Sequence, residues 1–266
     1  MRNTLVITKG HPFDRAAYFG MLDQVFARGD LGEYTHVEHP AALAVFAQQE
    51  LCAFDAILFY DMPGINFAQP SAGNQPPTYL EPPESFKQRL WAATERGIGL
   101  VFTHHAIAGW PAWEAYGELI GGRFCYTPAI LRGASVPDSG YRHSITHEVS
   151  VVAEHPVTQG VPKRFTMTDE LYLYQVFDDQ VQPLLRSSYE FIDRNFYSAT
   201  RAVVDGEMFS NAGWSHSPGS DLVGWTRQHN ASRVVYLQGG DDPQAYASEH
   251  YQTLLGNALG WAAAVD

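Results

Sequence analysis

The chain has 266 residues, 45% of them hydrophobic and 17% charged, a composition typical of a globular protein with a sizeable core. The formal net charge of -12 argues against a nucleic-acid partner or an anionic membrane surface, because only 17 Lys and Arg residues are spread along the chain. We therefore expect a single α/β domain over residues 1–266, with a small molecule as its partner.

The beginning of the chain predicts its location. The apolar run before Lys9 and Gly10 is only about four residues long, too short for the core of a signal peptide. No segment approaches the roughly 20 apolar residues of a membrane span. We therefore expect a cytoplasmic protein in which Cys52 and Cys125 are reduced thiols.

The first half predicts alternating strands and helices. Short apolar or β-branched runs predict strands at 4–8, 54–64 and 98–103. Helical spacing of apolar residues predicts helices at 14–30, 84–96 and 112–120, and a long Pro-rich loop spans 65–85. This alternation implies βαβ crossovers and an open parallel sheet.

The second half is richer in strands and is expected to extend the same sheet. Strands are predicted at 147–155, 170–176, 182–190, 221–229 and 232–240. The dipeptide Asn230-Ala231 predicts a tight hairpin between the last two, and 243–265 reads as a terminal helix.

Polar side chains follow the predicted parallel strands. His11 follows the first strand, Asp61 the second, and His104 and His105 the third. Ligands of open α/β sheets bind beyond the carboxyl ends of the strands, so these residues are candidates for one crevice. Successive side chains of an extended segment point to opposite faces, so one of the adjacent histidines should face the crevice. The alternative is that a histidine at a strand end only makes hydrogen bonds within the fold.

The histidines are candidate metal ligands, and neither cysteine is a candidate nucleophile. The chain has no H-E-x-x-H or C-x-x-C motif, but His104 or His105 with a carboxylate could bind zinc or another transition-metal ion. The turn after strand 98–103 is where a hydrolase would carry an activated Ser or Cys, yet histidines occupy it.

Three further segments carry candidate binding or catalytic groups. Glu170 lies beside Tyr172, and a carboxylate among aromatic residues suits a general acid or base, although a helix cap or a solvated turn is the alternative. Asp241 follows the predicted strand 232–240, near the carboxyl edge. Trp225 belongs to an aromatic-rich stretch, 214–229, that could stack on a sugar ring or simply fill the core.

Three stretches together resemble the ThuA-like (trehalose utilisation) family. They are "GIGLVFTHHAIAGWPAWEAYGELIGGRF", "VVAEHPVTQGVPKRFTMTDELY" and "RVVYLQGGDD". The resemblance implies a flavodoxin-like fold similar to class I glutamine amidotransferases, without their Cys-His-Glu triad. It also implies a role in sugar catabolism and, residue by residue, a pocket at His104 or His105, Glu170, Tyr172 and Asp241. Family members often have histidine after the glycine of the last motif, where this chain has Gly240 and Asp241.

The resemblance and the residues lead to one main hypothesis. The protein is expected to process a keto-glycoside by acid–base catalysis with His104 or His105 and Glu170, while His11, Asp61, Tyr172, Trp225 and Asp241 bind the substrate. Hydrolysis, elimination and isomerisation share the removal of a proton next to the keto group, and the sequence does not separate them. The alternatives are a catalytically inactive sugar-binding or interaction protein and a metal-dependent hydrolase. A homo-oligomer is compatible with each of them.

Overall fold

The computed structural model describes residues 2–28, 31–48, 51–67 and 76–264. Within them, strands from both halves of the chain form one ten-stranded sheet, and six short strands form three small sheets. The strands are β1 (Asn3–Lys9), β2 (Glu33–Glu38), β3 (Ala56–Asp61), β4 (Ile65–Asn66), β5 (Thr78–Tyr79), β6 (Gly99–Thr103), β7 (Gly122–Arg123), β8 (Ala129–Leu131), β9 (Ala134–Val136), β10 (Gly140–Val151), β11 (Arg164–Leu173), β12 (Gln175–Val176), β13 (Gln182–Ser187), β14 (Tyr197–Ser198), β15 (Leu222–His229) and β16 (Ser232–Leu237). The α-helices are α1 (Arg15–Ala27), α2 (Ala41–Gln48), α3 (Glu84–Glu95), α4 (Glu114–Ile120), α5 (Ala199–Val203), α6 (Pro243–Tyr246) and α7 (Glu249–Ala262).

The main sheet has a parallel part and an antiparallel part. Its parallel strands lie in the order β2-β1-β3-β6-β16, the strand order of flavodoxin-like folds. The sheet continues through β15, β13, β10 and β11, each antiparallel to its neighbour, and β14 pairs with β10. The predicted class, a flavodoxin-like sheet flanked by helices with extra strands from the second half, is confirmed.

The inner parallel strands, β1, β3, β6 and β16, are buried on both faces, which explains their continuous apolar runs. Leu5 and Ile7 of β1 pack into the core on one face, whereas Val6 packs into the core on the other. Helices α2, α3 and α4 contribute side chains to the first core, and α1 and α7 contribute to the second. The result is a three-layer arrangement with the sheet in the middle.

The antiparallel part curls back over the carboxyl edge of the parallel part. Five strand-to-strand steps separate β6 from β11 in the sheet, which in a flat sheet would place them about 24 Å apart. Nevertheless, the Nε2 atom of His104, immediately after β6, lies 3.1 Å from the Oε2 atom of Glu170 in β11. The curl therefore brings β11 to the point where β6 ends.

Most predicted elements exist, but several boundaries differ. The predicted two-residue hairpin joins β15 and β16, with His229 paired to Ser232. The strand predicted at 147–155 begins at Gly140, because its polar first residues pair with both β11 and β14. The predicted terminal helix is two helices, since Ser248 caps a new one through its bond to the N–H of Tyr251. Strand β2 and helix α2 were not predicted.

The predicted loop 65–85 contains the short paired strands β4 and β5 and the first residues of α3. Residues 68–75 of that loop lie outside the described residues. Among the residues that are described, no helix is long and apolar enough to cross a membrane.

Candidate active site

The carboxyl ends of β1, β6 and β16 carry three of the predicted site residues. His11 follows β1, His104 follows β6, and Asp241 lies four residues beyond the end of β16. This is the edge at which open α/β sheets bind their ligands. The second half of the chain adds Glu170 and Tyr172 to the same edge through β11.

His104 occupies a sharp turn. The chain passes from β6 directly into a short 3₁₀ helix, His104–Ala108, and the backbone of His104 is left-handed with a φ of 47°. A residue with a β-carbon adopts this region at a cost of about 1–2 kcal/mol, and such strain concentrates at functional sites. The hydroxyl of Tyr236 donates to the carbonyl of His104 at 3.0 Å and helps to hold the turn.

The turn also separates the two adjacent histidines, whose environments differ. The predicted alternation of an extended segment does not apply, because the chain is not extended there. Both side chains are completely buried. His104 contacts acidic residues, whereas His105 packs against aromatic rings.

Three side-chain oxygens surround the Nε2 atom of His104. The hydroxyl of Tyr172 lies at 2.8 Å, Oε2 of Glu170 at 3.1 Å and Oδ1 of Asp241 at 3.2 Å. The other ring nitrogen, Nδ1, lies 2.9 Å from the carbonyl oxygen of Gln238. The structure therefore brings three predicted site residues, Glu170, Tyr172 and Asp241, to the imidazole of a fourth, His104.

The positive charge of His104 and the negative charge of Asp241 stabilise each other. Burial alone would lower the pKa of His104, but the charges and hydrogen bonds of Asp241 and Glu170 raise it well above its ordinary value. Burial would raise the pKa of Asp241, yet the positive charge of His104 lowers it far below the usual range. Burial, with the charges of Glu170 and Asp241, raises the pKa of Tyr172, which therefore stays a neutral hydroxyl. The cluster can thus hold a positive charge between two carboxylates.

Asp169 fixes the loop that carries Asp241. Its carboxylate accepts the N–H of Gly240 at 2.6 Å and that of Asp241 at 3.1 Å. Gly240 has a φ of +116°, and a β-carbon there would lie 2.3 Å from the hydroxyl of Tyr251. Only glycine therefore fits where the loop turns toward the site.

His143 is a site residue that the sequence pattern did not predict. Its Nδ1 atom lies 3.1 Å from Oε1 of Glu170 and 3.8 Å from Oδ2 of Asp241, and 41% of its side chain is exposed. The neighbouring carboxylates of Asp241 and Glu170 raise the pKa of His143. A β-bulge in β10, where Ser144 has a φ of 55°, interrupts the pairing with β11 at this point. The predicted strand began after His143, so the sequence pattern carried no signal for it.

His105 and His11 form a separate, stacked pair beside the cluster. Their ring centroids are 4.8 Å apart, and Nε2 of His105 lies 3.4 Å from the carbonyl of Tyr60. Burial first, and then the charges of neighbouring histidines, lower the pKa of both rings. They are neutral at pH 7, and the Nδ1 atoms of both have no hydrogen-bond partner among the described residues.

The environments of Asp61 and Trp225 do not match their predicted substrate-binding role. Asp61 is almost completely buried and lies 2.8 Å from Nε2 of His39. Trp225 is 0% exposed and donates its indole N–H to the carbonyl of Ile120, so neither ring face is available to a sugar. Sequence alone could not separate a core tryptophan from an exposed one.

A different aromatic residue lies at the rim of the cluster. Phe209 is 57% exposed, and its ring centroid is 5.9 Å from that of His143. The N–H of Phe209 donates to the hydroxyl of Tyr141, which positions the ring beside the site. Phe209 therefore offers the exposed aromatic face that Trp225 lacks.

The cysteines lie away from this chemistry, as predicted. Cys125 is buried, and burial raises its pKa to about 11, which keeps it a thiol at pH 7. Cys52 is exposed and lies just before β3. At the turn where a thiolate nucleophile would stand, the residue is His104.

One group of potential metal ligands lies within the described residues. His104, Glu170 and Asp241 each offer one donor atom, and these atoms lie within 4.8 Å of one another. His105, the other predicted metal candidate, is not part of this group. This correction follows from the turn at His104, which directs the two imidazoles into different environments.

The fold and this site define a flavodoxin-like α/β protein with a histidine–carboxylate centre at the carboxyl edge of its sheet. The model of the ThuA family, described as trehalose utilisation, matches residues 6–262. The chain therefore belongs to the ThuA family, in agreement with the resemblance seen in its motifs. Comparison with curated protein sequences finds no significant match.

Solved structures support the same fold. A ThuA-like protein from Parabacteroides merdae has a TM-score of 0.65 at 15% identity, covering 98% of this chain and 90% of that chain. A ThuA-like protein from Bacteroides uniformis has a TM-score of 0.61 at 16% identity, covering 98% and 91%. A cytoplasmic protein from Salmonella typhimurium LT2 has a TM-score of 0.55 at 13% identity, covering 98% and 99%. At these identities the comparison shows the shared fold.

Proposed function

We propose that this protein is an enzyme that removes a proton next to the keto group of an oxidised glycoside, using the cluster around His104. The observation that carries the proposal is the convergence of two carboxylates, Glu170 and Asp241, on a single imidazole nitrogen. A carboxylate of this pair can act as the base, and the buried positive charge held between the two carboxylates can stabilise the enolate.

The reaction uses the exposed and buried parts of the cluster differently. A base takes the proton from the carbon next to the keto group, and the bonding electrons move onto the keto oxygen. His143 and Asp241 are the partly exposed members of the cluster, so we assign them to the side that the substrate reaches. The His104–Glu170 pair lies behind them and holds the positive charge that the developing enolate needs. His104, which the sequence left undecided against His105, is thereby assigned to the reaction.

The sugar is proposed to bind against Phe209. Carbohydrate rings pack their C–H faces on aromatic side chains, and Phe209 presents an exposed ring beside His143. The family description, trehalose utilisation, supports a glycoside as the substrate class.

We propose a cytoplasmic location because structural relatives from Salmonella are described as cytoplasmic proteins. A small-molecule carbohydrate is the proposed partner, without nucleic acid or membrane, and a homo-oligomer is compatible with this role.

The test is proton exchange in heavy water. Purified protein is incubated with a chemically prepared 3-keto-glucoside in D₂O, and proton NMR follows the signal of the C–H next to the keto group as well as the products. The proposal predicts loss of that signal at a rate that falls sharply in Glu170→Gln. Sugar binding without exchange or product would overturn it and would instead indicate a binding protein.

A further inference from the structure

The contacts of His104 surround its Nε2 atom with oxygen atoms suited to a cation. Nδ1 lies 2.9 Å from the carbonyl oxygen of Gln238, and a carbonyl only accepts hydrogen bonds, so Nδ1 carries a proton. In a neutral ring Nε2 then carries a lone pair. That lone pair would face carboxylate oxygens of Glu170 and Asp241 at 3.1 and 3.2 Å. The hydroxyl of Tyr172, 2.8 Å away, can donate to this lone pair, but the two carboxylates still face it, and a bound cation would relieve their repulsion.

We propose that His104, Glu170 and Asp241 bind a divalent transition-metal ion, and that His143 positions Glu170 for this role. The proposal deepens the proposed function, since the ion would supply the positive charge at the same cluster. It differs in what it predicts about the purified protein, which should bind one metal ion per chain whether or not a keto-glycoside is the substrate.

Two of the three distances between donor atoms match a tetrahedral coordination sphere, and all three donor atoms lie within 4.8 Å of one another. Tetrahedral zinc, with bonds of about 2.0–2.1 Å, places neighbouring donor atoms about 3.3 Å apart. Nε2 of His104 lies 3.1 Å from the donor oxygen of Glu170 and 3.2 Å from that of Asp241. Three protein ligands with a fourth position left for water or substrate is the arrangement of catalytic zinc sites.

Neighbouring groups fix the orientation of each proposed ligand, as is usual around metal sites. A metal-binding histidine usually donates its second ring N–H to a carbonyl or carboxylate, as Nδ1 of His104 does to Gln238. The carboxylate of Glu170 has its other oxygen, Oε1, 3.1 Å from Nδ1 of His143. Asp169 accepts the N–H of Asp241 and so holds the backbone of the third ligand. Each ligand is therefore fixed by a contact outside the coordination sphere.

The donor set indicates the class of ion. Mg²⁺ and Ca²⁺ prefer oxygen ligands alone, whereas an imidazole with two carboxylates suits Zn²⁺, Mn²⁺ or Fe²⁺. We therefore infer a divalent transition-metal ion and use Zn²⁺ as the probe.

The experiment is a calorimetric titration of tag-free, chelator-treated full-length protein with ZnCl₂. We expect one Zn²⁺ per chain and no heat from MgCl₂. Asp241→Asn should weaken Zn²⁺ binding at least 100-fold, and His143→Gln about 10- to 100-fold, the usual effect of losing a residue that positions a ligand. The matched control is Glu148→Gln, an exposed carboxylate on the same strand as His143, which should bind as the wild type does.

A second measurement, on the wild type alone, tests the proposal even if a variant fails to fold. Titration of the wild type with Co²⁺ should produce visible absorption bands of a site with four or five ligands, which hydrated Co²⁺ does not show. Absence of Zn²⁺ binding by the wild type, or wild-type affinity in Asp241→Asn, would overturn the proposal.

The two proposals can fail separately. A protein that binds no Zn²⁺ and still exchanges the keto-glycoside proton would refute the metal site and leave the proposed function standing. A protein that binds one Zn²⁺ and exchanges no proton would support the metal site and refute the proposed function.

Discussion

The hydroxyl of Tyr172 lies 2.8 Å from Nε2 of His104, although 68 positions separate the two residues in the chain. Glu170, on the same strand and two residues earlier, contacts the same nitrogen. Residues spaced by two lie on the same face of a strand, so β11 presents a hydroxyl and a carboxylate together to one imidazole. The "DELY" motif is thus one half of the site, and the histidine turn is the other.

Removal of the charge of Glu170 should abolish most of the activity without unfolding the protein. Glu170→Gln keeps the shape of the side chain but removes one of two carboxylates facing His104, and we expect kcat/KM to fall about 10²- to 10⁴-fold. The measurement is the rate of keto-glycoside conversion, with thermal unfolding recorded in parallel. Glu148→Gln, the matched surface variant, should keep the wild-type rate. Wild-type kcat/KM in Glu170→Gln would contradict the assignment of the site.

Truncation of Phe209 should weaken substrate binding rather than stability. Loss of an aromatic contact worth about 0.5–1.5 kcal/mol raises KM about 2- to 12-fold in Phe209→Ala, with kcat little changed. Val152→Ala serves as the control, because Val152 is exposed next to the far end of β10 from His143. Kinetics over a range of substrate concentrations separate KM from kcat. An unchanged KM would show that the sugar binds elsewhere.

Trp225 should behave in the opposite way, as a core residue. Trp225→Ala removes a fully buried ring, and we expect the free energy of unfolding to fall by about 3–5 kcal/mol. Urea denaturation measures this loss. A variant that stays as stable as the wild type but loses sugar binding would restore Trp225 to the substrate site.

Gly240 should tolerate no side chain, and a comparison with Gly133 separates the cost of the steric contact from the cost of backbone strain. Both Gly240 and Gly133 have a positive φ, but a β-carbon at Gly240 meets the hydroxyl of Tyr251 whereas one at Gly133 meets nothing within 4 Å. Gly133→Ala should cost only the backbone strain of about 1–2 kcal/mol. Gly240→Ala should cost more and should also displace Asp241 and lower activity. Equal losses of stability, measured by thermal unfolding, would mean that the contact with Tyr251 is easily relieved.

His147 should make stability depend on pH. Burial lowers its pKa to about 4, and its Nδ1 atom bonds the hydroxyl of Ser187 at 2.8 Å. The unfolded chain, with an ordinary histidine pKa of about 6.5, binds the proton more tightly. As pH falls from about 6.5 to about 4, the free energy of unfolding should therefore decrease by about 3 kcal/mol from this group.

The comparison variant is His147→Asn, whose side-chain amide can replace Nδ1 in the bond to Ser187 but does not titrate. Its stability should fall less steeply over the same pH range when urea denaturation is repeated at each pH. Parallel curves for the variant and the wild type would show that His147 is not the responsible group.

Local signals predicted most of the secondary structure. Apolar runs identified the central parallel strands, because strands buried on both faces need apolar side chains at every position. The same signals missed β2, whose residues are only partly buried, and the first residues of β10. His143 lies among those unpredicted residues of β10, and a β-bulge rather than a periodic pattern sets the direction of its side chain.

The sequence by itself determined that His11, His104 and Asp241 follow strands, and the parallel order of those strands placed them at one edge of the sheet. It left undecided which histidine meets which carboxylate. Only the tertiary structure decided this, in two ways. The left-handed turn at His104 separates it from His105, and the curl of the antiparallel strands carries Glu170 across five strand positions to reach it. Both depend on long-range packing, which the spacing of residues along the chain does not encode.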